Sequence, residues 1–423
     1  MGLWLIFRLK KPPQDLVMLL NLMGLLLLIF PLYNISGWAI KSAVQEIKFN
    51  SDNPVLDTYG EKLVPKNQQA LPDVYYIVLD EFARQDVLKN EWNIDDSNFI
   101  TELRKIGFYV ADCSMSNYLH TRLSITSELN FQYIQNLVGG VGPGNNIEAL
   151  QPFIEHSQVR RELEGAGYKT VSYSMAGNWF NWSDATVSYS FPKDAMQPFE
   201  YMLLNTTAYR SLKSGRSTED LSLDDDAALG TNPDTDKDNN FPYKSYYDRE
   251  TYELKLMDNI NSISGPKFVF AHIFGSHMPY VFKSDGSIIA DSAYWGGDPD
   301  GNPVSSYYND DGYRQSIQFD SSRMLGIIKN ILDHSKNPPI IILQGDHGKG
   351  THRSSNLSAF YLPGDGQKNL YPSISNVNTF RIIFNSYFGT HFKLLPDYSY
   401  NSNEAGTDAF TQVYEINPTC LKK

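Results

Sequence analysis

The sequence predicts an α/β sandwich with a largely parallel central sheet, preceded by an N-terminal transmembrane helix. Three observations carry this. The apolar runs Asp73–Leu79, Lys267–Ala271 and Pro339–Leu343 are continuous rather than alternating, as in parallel strands buried on both faces. Segments with helical spacing lie between them. A long uncharged apolar run, Leu16–Tyr33, stands near the N-terminus.

Leu16–Tyr33 contains one polar side chain, Asn21. A bilayer core needs about 20 mostly apolar residues as a helix, so the run is long enough to cross. Arg8, Lys10 and Lys11 precede it, and Tyr33 and Trp38 follow it. Basic flanks stay in the cytoplasm and aromatic residues favour the interface, so the rest of the chain is expected outside, in the periplasm or at the cell exterior. The competing readings are a signal peptide and a buried core helix. Against the first, the run is long and Ser36-Gly37-Trp38-Ala39 is a weak cleavage site. Residues 1–45 are therefore read as a membrane anchor with its helix at about 16–33. Residues 46–71, polar and broken by Pro54 and Pro65, are read as a linker. Residues 72–423 are read as one large domain. Inside it, Ser214–Asn240 sets eight acidic side chains against Arg216 and Lys237, with no apolar period, and reads as a flexible surface insertion.

The first strand runs into Asp80, the second into His272 and then His277, and the third into Gly345-Asp346-His347-Gly348. Lys169–Tyr173 is a candidate fourth strand. Asp96 or Ser97 can cap a helix that buries Phe99, Ile100, Leu103 and Ile106 and stops at Gly107. A second helix is expected over Leu123–Leu137. A third, Arg314–His334, places Ile317, Leu325, Ile328, Ile331 and Leu332 at helical spacing.

The chain of 423 residues has a formal net charge of −12, which argues against nucleic acid as a partner because phosphate-backbone binding needs clustered Lys and Arg. Two cysteines, Cys113 and Cys420, rule out a disulfide scaffold or a Cys-rich metal module, while leaving one pairing open in an oxidising compartment.

In open α/β sheets ligands bind beyond the carboxyl ends of the strands. Asp80, His277, Asp346 and His347 can therefore meet despite their separation. Asp346 and His347, between two glycines, offer a carboxylate and an imidazole to one cation; a capping Asp beside a surface His is the plainer reading. Ser116–Ser127 is rich in hydroxyls before the Leu123–Leu137 helix. A hydroxyl there sees free backbone N–H groups and the positive end of the helix dipole, although taken alone an ordinary N-cap is the plainer reading. Trp179 and Trp182 suit sugar stacking or core packing. Arg381 suits an anion clamp or a structural ion pair. His156, His334 and His391 read as bland surface or core residues, and His120 as a rim residue.

The order strand–Asp80, Thr121 before a helix, His272-Ile-Phe-Gly-Ser-His277 and Gly-Asp346-His347-Gly resembles the alkaline phosphatase/sulfatase superfamily over roughly Pro72 to Tyr400. It is most similar to the membrane-anchored sulfatase-like branch of lipoteichoic acid synthases and phosphoethanolamine transferases. The resemblance implies an alkaline-phosphatase-like sandwich and makes residues 72–423 a sulfatase-like catalytic domain. It implies Asp80, Thr121, Asp346 and His347 as metal ligands, with Thr121 also the nucleophile. It implies substrate or second-metal roles for His272 and His277, and by position for His352. Glu81 stands where many relatives carry a small residue, as a further ligand or a supporting acceptor. Cys113-Ser-Met-Ser-Asn117 lacks the Pro and Arg that formylglycine formation needs, and a threonine cannot become formylglycine. Phosphoryl transfer through a threonine ester is therefore expected over ordinary sulfatase chemistry.

A divalent cation lowers the pKa of a bound oxygen by several units, to about 7 for zinc-bound water, which is what a Thr hydroxyl needs to attack. Two carboxylates, an imidazole and a hydroxyl suit Zn or Mn. Thr121 attacks phosphorus, a phosphothreonine ester forms, and water or an acceptor hydroxyl resolves it. His277 holds phosphate oxygens or protonates the leaving group. Ser124 is the runner-up nucleophile. The expected substrate is an anionic lipid or glycan at the membrane. The alternatives are a sulfatase-like hydrolase of sulfate or phosphate esters and a non-catalytic surface binding protein of the same fold.

Overall fold

Strand β1 (Val74–Leu79) is buried along its whole length, as a parallel strand covered on both faces must be. The computed structural model describes residues 14, 15, 18, 21–23, 63–66, 71–137, 150–174, 180, 182, 184–190, 241–289, 309–401 and 411–413. The acidic insertion 214–240, Trp179, Cys420 and most of the helix expected at 16–33 lie outside them. The chain divides into two units, Met1–Gly60 and Glu61–Lys423. In the first, the described residues Gln14, Asp15, Met18 and Asn21–Met23 are helical, with Met18, Leu22 and Met23 exposed. Among the described residues no helix is long and apolar enough to cross a membrane.

In the second unit β1 is followed by α1 (Gln85–Trp92), α2 (Ser97–Lys105), β2 (Tyr109–Val110), α3 (Thr121–Leu129) and α4 (Ile134–Leu137). Next come α5 (Gln151–Glu155), α6 (Gln158–Gly165), β3 (Lys169–Ser174), β4 (Val187–Ser190), α7 (Phe241–Met257) and β5 (Lys267–Ile273). The chain ends with α8 (Asp310–His334), β6 (Ile340–Gly345), β7 (Ser358–Tyr361), α9 (Thr379–Tyr387) and the small pair β8 (Ser399–Asn401) and β9 (Thr411–Val413). The main sheet has seven strands in the order β2-β7-β6-β1-β5-β3-β4. From β6 through β1, β5 and β3 to β4 every pairing is parallel; β7 is antiparallel to both of its neighbours. The sheet is thus largely parallel, as expected, with a mixed edge.

Strand alternation divides the core. Tyr75, Ile77, Leu79, Val269, Ala271, Ile341 and Leu343 pack with Leu103 of α2 and Ile317, Met324, Ile328 and Ile331 of α8. On the opposite face, Tyr76 stacks on Phe270 (ring centroids 5.6 Å) and meets Phe380 of α9 edge-on (5.4 Å). Trp182 stacks on Phe270 at 4.9 Å, is fully buried, and donates its indole N–H to Ile154 O. It is a core residue and has no face left for a sugar.

Several elements differ from the sequence reading. The helix expected over Leu123–Leu137 begins at Thr121 and breaks after Leu129. Asn130 donates its side-chain amide to Thr126 O, closing the last turn, and Phe131 takes φ +38°. The helix expected from Arg314 starts at Asp310, because Asn309 accepts from Gly312 N as its cap. Part of the segment read as linker is bound to the domain: Val64 N–H donates to Phe388 O and Lys66 N–H to Tyr387 O.

Candidate metal centre and its surroundings

Register builds the site. Val78 is level with His272 on one side and Gln344 on the other, and Leu79 with Ile273 and Gly345. The next residues, Asp80 and Asp346, therefore leave the same end of adjacent strands, with His272 beside them. One ligand atom each from Asp80, His272 and Asp346 falls within a common 4.8 Å, and all three residues are buried. His272 Nε2 lies 3.4 Å from Asp80 Oδ2.

Neighbouring backbone sets which atoms face inward. Asp346 Oδ1 accepts from Glu81 N (3.0 Å) and His347 N (2.9 Å), while Oδ2 is buried without a hydrogen bond. His347 Nδ1 lies 2.9 Å from Gly348 O, which fixes the proton on Nδ1 and turns the Nε2 lone pair inward. Nε2 is 3.3 Å from Asp346 Oδ2 and 4.0 Å from Asp80 Oδ1. Neither nitrogen of His272 makes a hydrogen bond. Buried polar atoms without partners are expensive, and a carboxylate oxygen and imidazoles aimed at one point are a donor set that a divalent cation satisfies. Both glycines of Gly345-Asp346-His347-Gly348 are needed for close approach rather than for unusual dihedrals. A Cβ on Gly345 would meet Phe82 O at 2.4 Å, and one on Gly348 would meet Ser355 O at 2.4 Å.

Thr121 is the first residue of α3, where N–H groups are not used within the helix. Its Oγ1 lies 3.2 Å from His347 Nε2 and 3.5 Å from Asp80 Oδ1. Ser124, the other nucleophile candidate, is buried and donates to Tyr118 O at 2.7 Å, so its hydroxyl is committed to backbone.

Charge is shared unevenly. Burial alone would raise Asp80, but His277, His272 and His347 outweigh it and hold this carboxyl below the ordinary range. Burial, with the Asp80 charge added, pushes Asp346 up. Burial and the nearby Arg353 charge push His347 down to about 4, keeping its ring neutral as a ligand must be. Burial alone would lower His277, yet Asp80 and Glu81 outweigh it and raise its pKa. Its Nδ1 is engaged by Met278 O at 2.5 Å.

Glu81 stands beside this centre at φ +58°. Its backbone carbonyl accepts from Tyr313 Oη at 2.8 Å, and its carboxylate meets Lys349 Nζ at 2.6 Å and Arg353 Nη2 at 3.0 Å. Glu81 and Lys349 are both fully buried. Glu81→Gln would strip a buried ammonium of its carboxylate. A loss of about 3–5 kcal/mol is expected, read as a lower urea midpoint at neutral pH.

Two expected site residues lie elsewhere. His352 Nδ1 is in close contact with Glu91 and 3.2 Å from Thr351 Oγ1, away from the three-residue group. Arg381 is buried and donates to Phe131 O (2.9 Å) and Lys393 O (2.7 Å). Its guanidinium ties backbone segments together rather than clamping a ligand. Sequence reasoning missed Lys349, Arg353, Glu128 and Asp320. Glu128 of α3 is pushed up to about 8 by burial. Asp320 of α8, pushed up to about 8 by burial, packs so tightly on the His272–His277 loop that a Cβ on Gly275 would meet its Oδ1 at 2.1 Å.

No family model and no curated protein matches the chain. Solved structures do. The zinc-complexed C-terminal periplasmic domain of EptC from Escherichia coli is 11% identical, with 83% of this chain and 96% of that one covered and a TM-score of 0.48. The lipooligosaccharide phosphoethanolamine transferase A (EptA) of Neisseria meningitidis is 11% identical, with 81% and 60% covered and a TM-score of 0.43. A protein in the alkaline phosphatase superfamily from Vibrio parahaemolyticus is 9% identical, with 83% and 81% covered and a TM-score of 0.41. At this distance the chemistry must be read from the chain's own residues.

Proposed function

We propose that the chain is a metal-dependent enzyme that transfers or hydrolyses phosphate esters through Thr121, held at the outer face of a membrane by its N-terminal segment. The observation that carries this is the meeting of Thr121 Oγ1 with His347 Nε2 and Asp80 beside buried ligand atoms of Asp346 and His272 that make no hydrogen bond. Asp80, Asp346, His347 and His272 would hold the cation, with Zn or Mn the ions their oxygen and nitrogen donors suit. When bound, such an ion supplies Lewis acidity and lowers the pKa of the attacking hydroxyl.

The chain's own groups do the rest. Thr121 Oγ1, whose proton would already have passed to solvent with the ion bound, forms a bond to phosphorus as the bond to the leaving oxygen breaks, and it is released as the same alkoxide at the end of the cycle. The α3 N–H groups face the developing anion. His277, with its raised pKa, donates a proton to the leaving oxygen. Water or an acceptor hydroxyl then attacks phosphorus and restores Thr121, with a proton returning to His277. His272 joins the metal set in this reading rather than serving the substrate.

An anionic lipid or glycan of the envelope is the substrate class. The apolar run Leu16–Tyr33 supports work at a membrane. Cys113 is disulfide-bonded, which supports an oxidising, extracytoplasmic setting. The domain bounds proposed are 1–45 for the anchor, 46–71 for the linker and 72–423 for the catalytic domain. A panel of chromogenic phosphomonoester, phosphodiester and sulfate ester probes tests the reaction class with Zn- or Mn-loaded protein. Turnover of phosphate esters and not of the sulfate is expected. Turnover confined to the sulfate would replace this reading with a sulfatase.

A further inference from the structure

Glu81 offers one negative charge to two cations, Lys349 and Arg353. The cations are not equivalent. Lys349 is wholly buried, with its ammonium over the rings of Tyr280 (5.7 Å) and Tyr313 (5.4 Å), and cannot reach a substrate. Arg353 keeps 21% of its side chain open to solvent. Its Nη2 lies 3.5 Å from His347 Nε2, the same nitrogen that stands 3.2 Å from Thr121 Oγ1. Its Nε donates to Leu119 O at 2.7 Å, two residues before Thr121. One guanidinium therefore touches the loop before α3, the Asp346–His347 turn and the Asp80–Glu81 turn, and it shares His347 Nε2 as a neighbour with the proposed nucleophile.

We infer that Arg353 is the side chain that holds the anionic oxygens of the phosphate group at Thr121, with the buried Glu81–Lys349 pair as the brace that aims it. The planar guanidinium matches two phosphate oxygens at once, which an ammonium cannot do. Local charge agrees. The shared charge of Glu81 leaves the solvent-open face of the Arg353 guanidinium as the part that an anion can reach. The inference rests on the phosphoryl reading above and adds the residue that recognises the substrate's charge.

The test is inorganic phosphate binding to the zinc-loaded full chain, followed by calorimetry, with zinc per chain and the unfolding midpoint measured alongside. Arg353→Gln, which keeps an amide donor near Leu119 O, is expected to weaken phosphate binding about ten- to a hundredfold with zinc retained. Arg353→Lys keeps the charge and should recover part of that loss. With a chromogenic phosphate ester, the loss in Arg353→Gln should be in KM as well as kcat. Unchanged phosphate affinity in a zinc-retaining Arg353→Gln protein would overturn the role of Arg353 and leave Thr121 chemistry standing. Wild-type protein that binds zinc but no phosphate would overturn both.

Discussion

Thr121→Ala is expected to lower turnover of a phosphate ester on the order of 10⁴-fold or more while zinc content and fold are kept. The methyl group removes the attacking oxygen and leaves Asp80, His272, Asp346 and His347 in place. Thr121→Ser, which retains the hydroxyl at the start of α3, should keep a measurable fraction of the rate. Ser124→Ala is the matched control. Its hydroxyl is spent on Tyr118 O, so its loss should cost about 1 kcal/mol of stability and little rate. A Thr121→Ala protein with near-normal turnover, or a Ser124→Ala protein with the larger defect, would move the nucleophile elsewhere.

The second large effect concerns metal. Asp346→Ala is expected to weaken zinc binding by more than about 100-fold and to abolish turnover with it. Without a cation the site holds two facing carboxyls in a dry setting, and they divide the cost. Asp80 stays ionised with His277, whose pKa is raised, beside it, while burial and the Asp80 charge push Asp346 up and favour its protonated form. Metal uptake must displace that proton. Zinc affinity should therefore fall as the solution is made more acidic, with proton release visible as a buffer-dependent binding enthalpy. Removing metal with a chelator should lower the melting temperature, since an ion that binds only the folded chain stabilises it. A melting temperature indifferent to both zinc and chelator would remove the metal centre from the account.

Much of this site was legible in the sequence because parallel topology converts strand ends into neighbours. Continuous apolar runs located β1, β5 and β6, and whatever followed each run had to share one end of the sheet. That reasoning puts forward Asp80, Asp346 and His347 as candidates, and Thr121 Oγ1 lies 3.5 Å from Asp80 Oδ1 and 3.2 Å from His347 Nε2. His272 was harder to place because it lies within β5, not after it. Only the register that sets it level with Val78 turns it toward Asp80. Lys349 and Arg353 sit in a glycine-rich turn where cations look like ordinary loop charge. Their importance depends on Glu81, far away in the chain, and no local pattern links them. Glu128 and Asp320 carry no local sequence pattern that marks a buried acid; only the packing of α3 and α8 buries them. Arg381, which in sequence suits an anion clamp or a structural role alike, donates to the backbone carbonyls of Phe131 and Lys393. The mixed edge of β2 and β7 escaped notice because strands of two and four residues carry too little periodicity to register.

The most direct measurement is the mass of the Thr121 peptide after zinc-loaded protein is mixed with a phosphodiester probe and quenched in acid. The account predicts a phosphoryl adduct on Thr121, absent from Thr121→Ala and from metal-free protein. Turnover of the probe with Thr121 unmodified and the adduct on another side chain would contradict it.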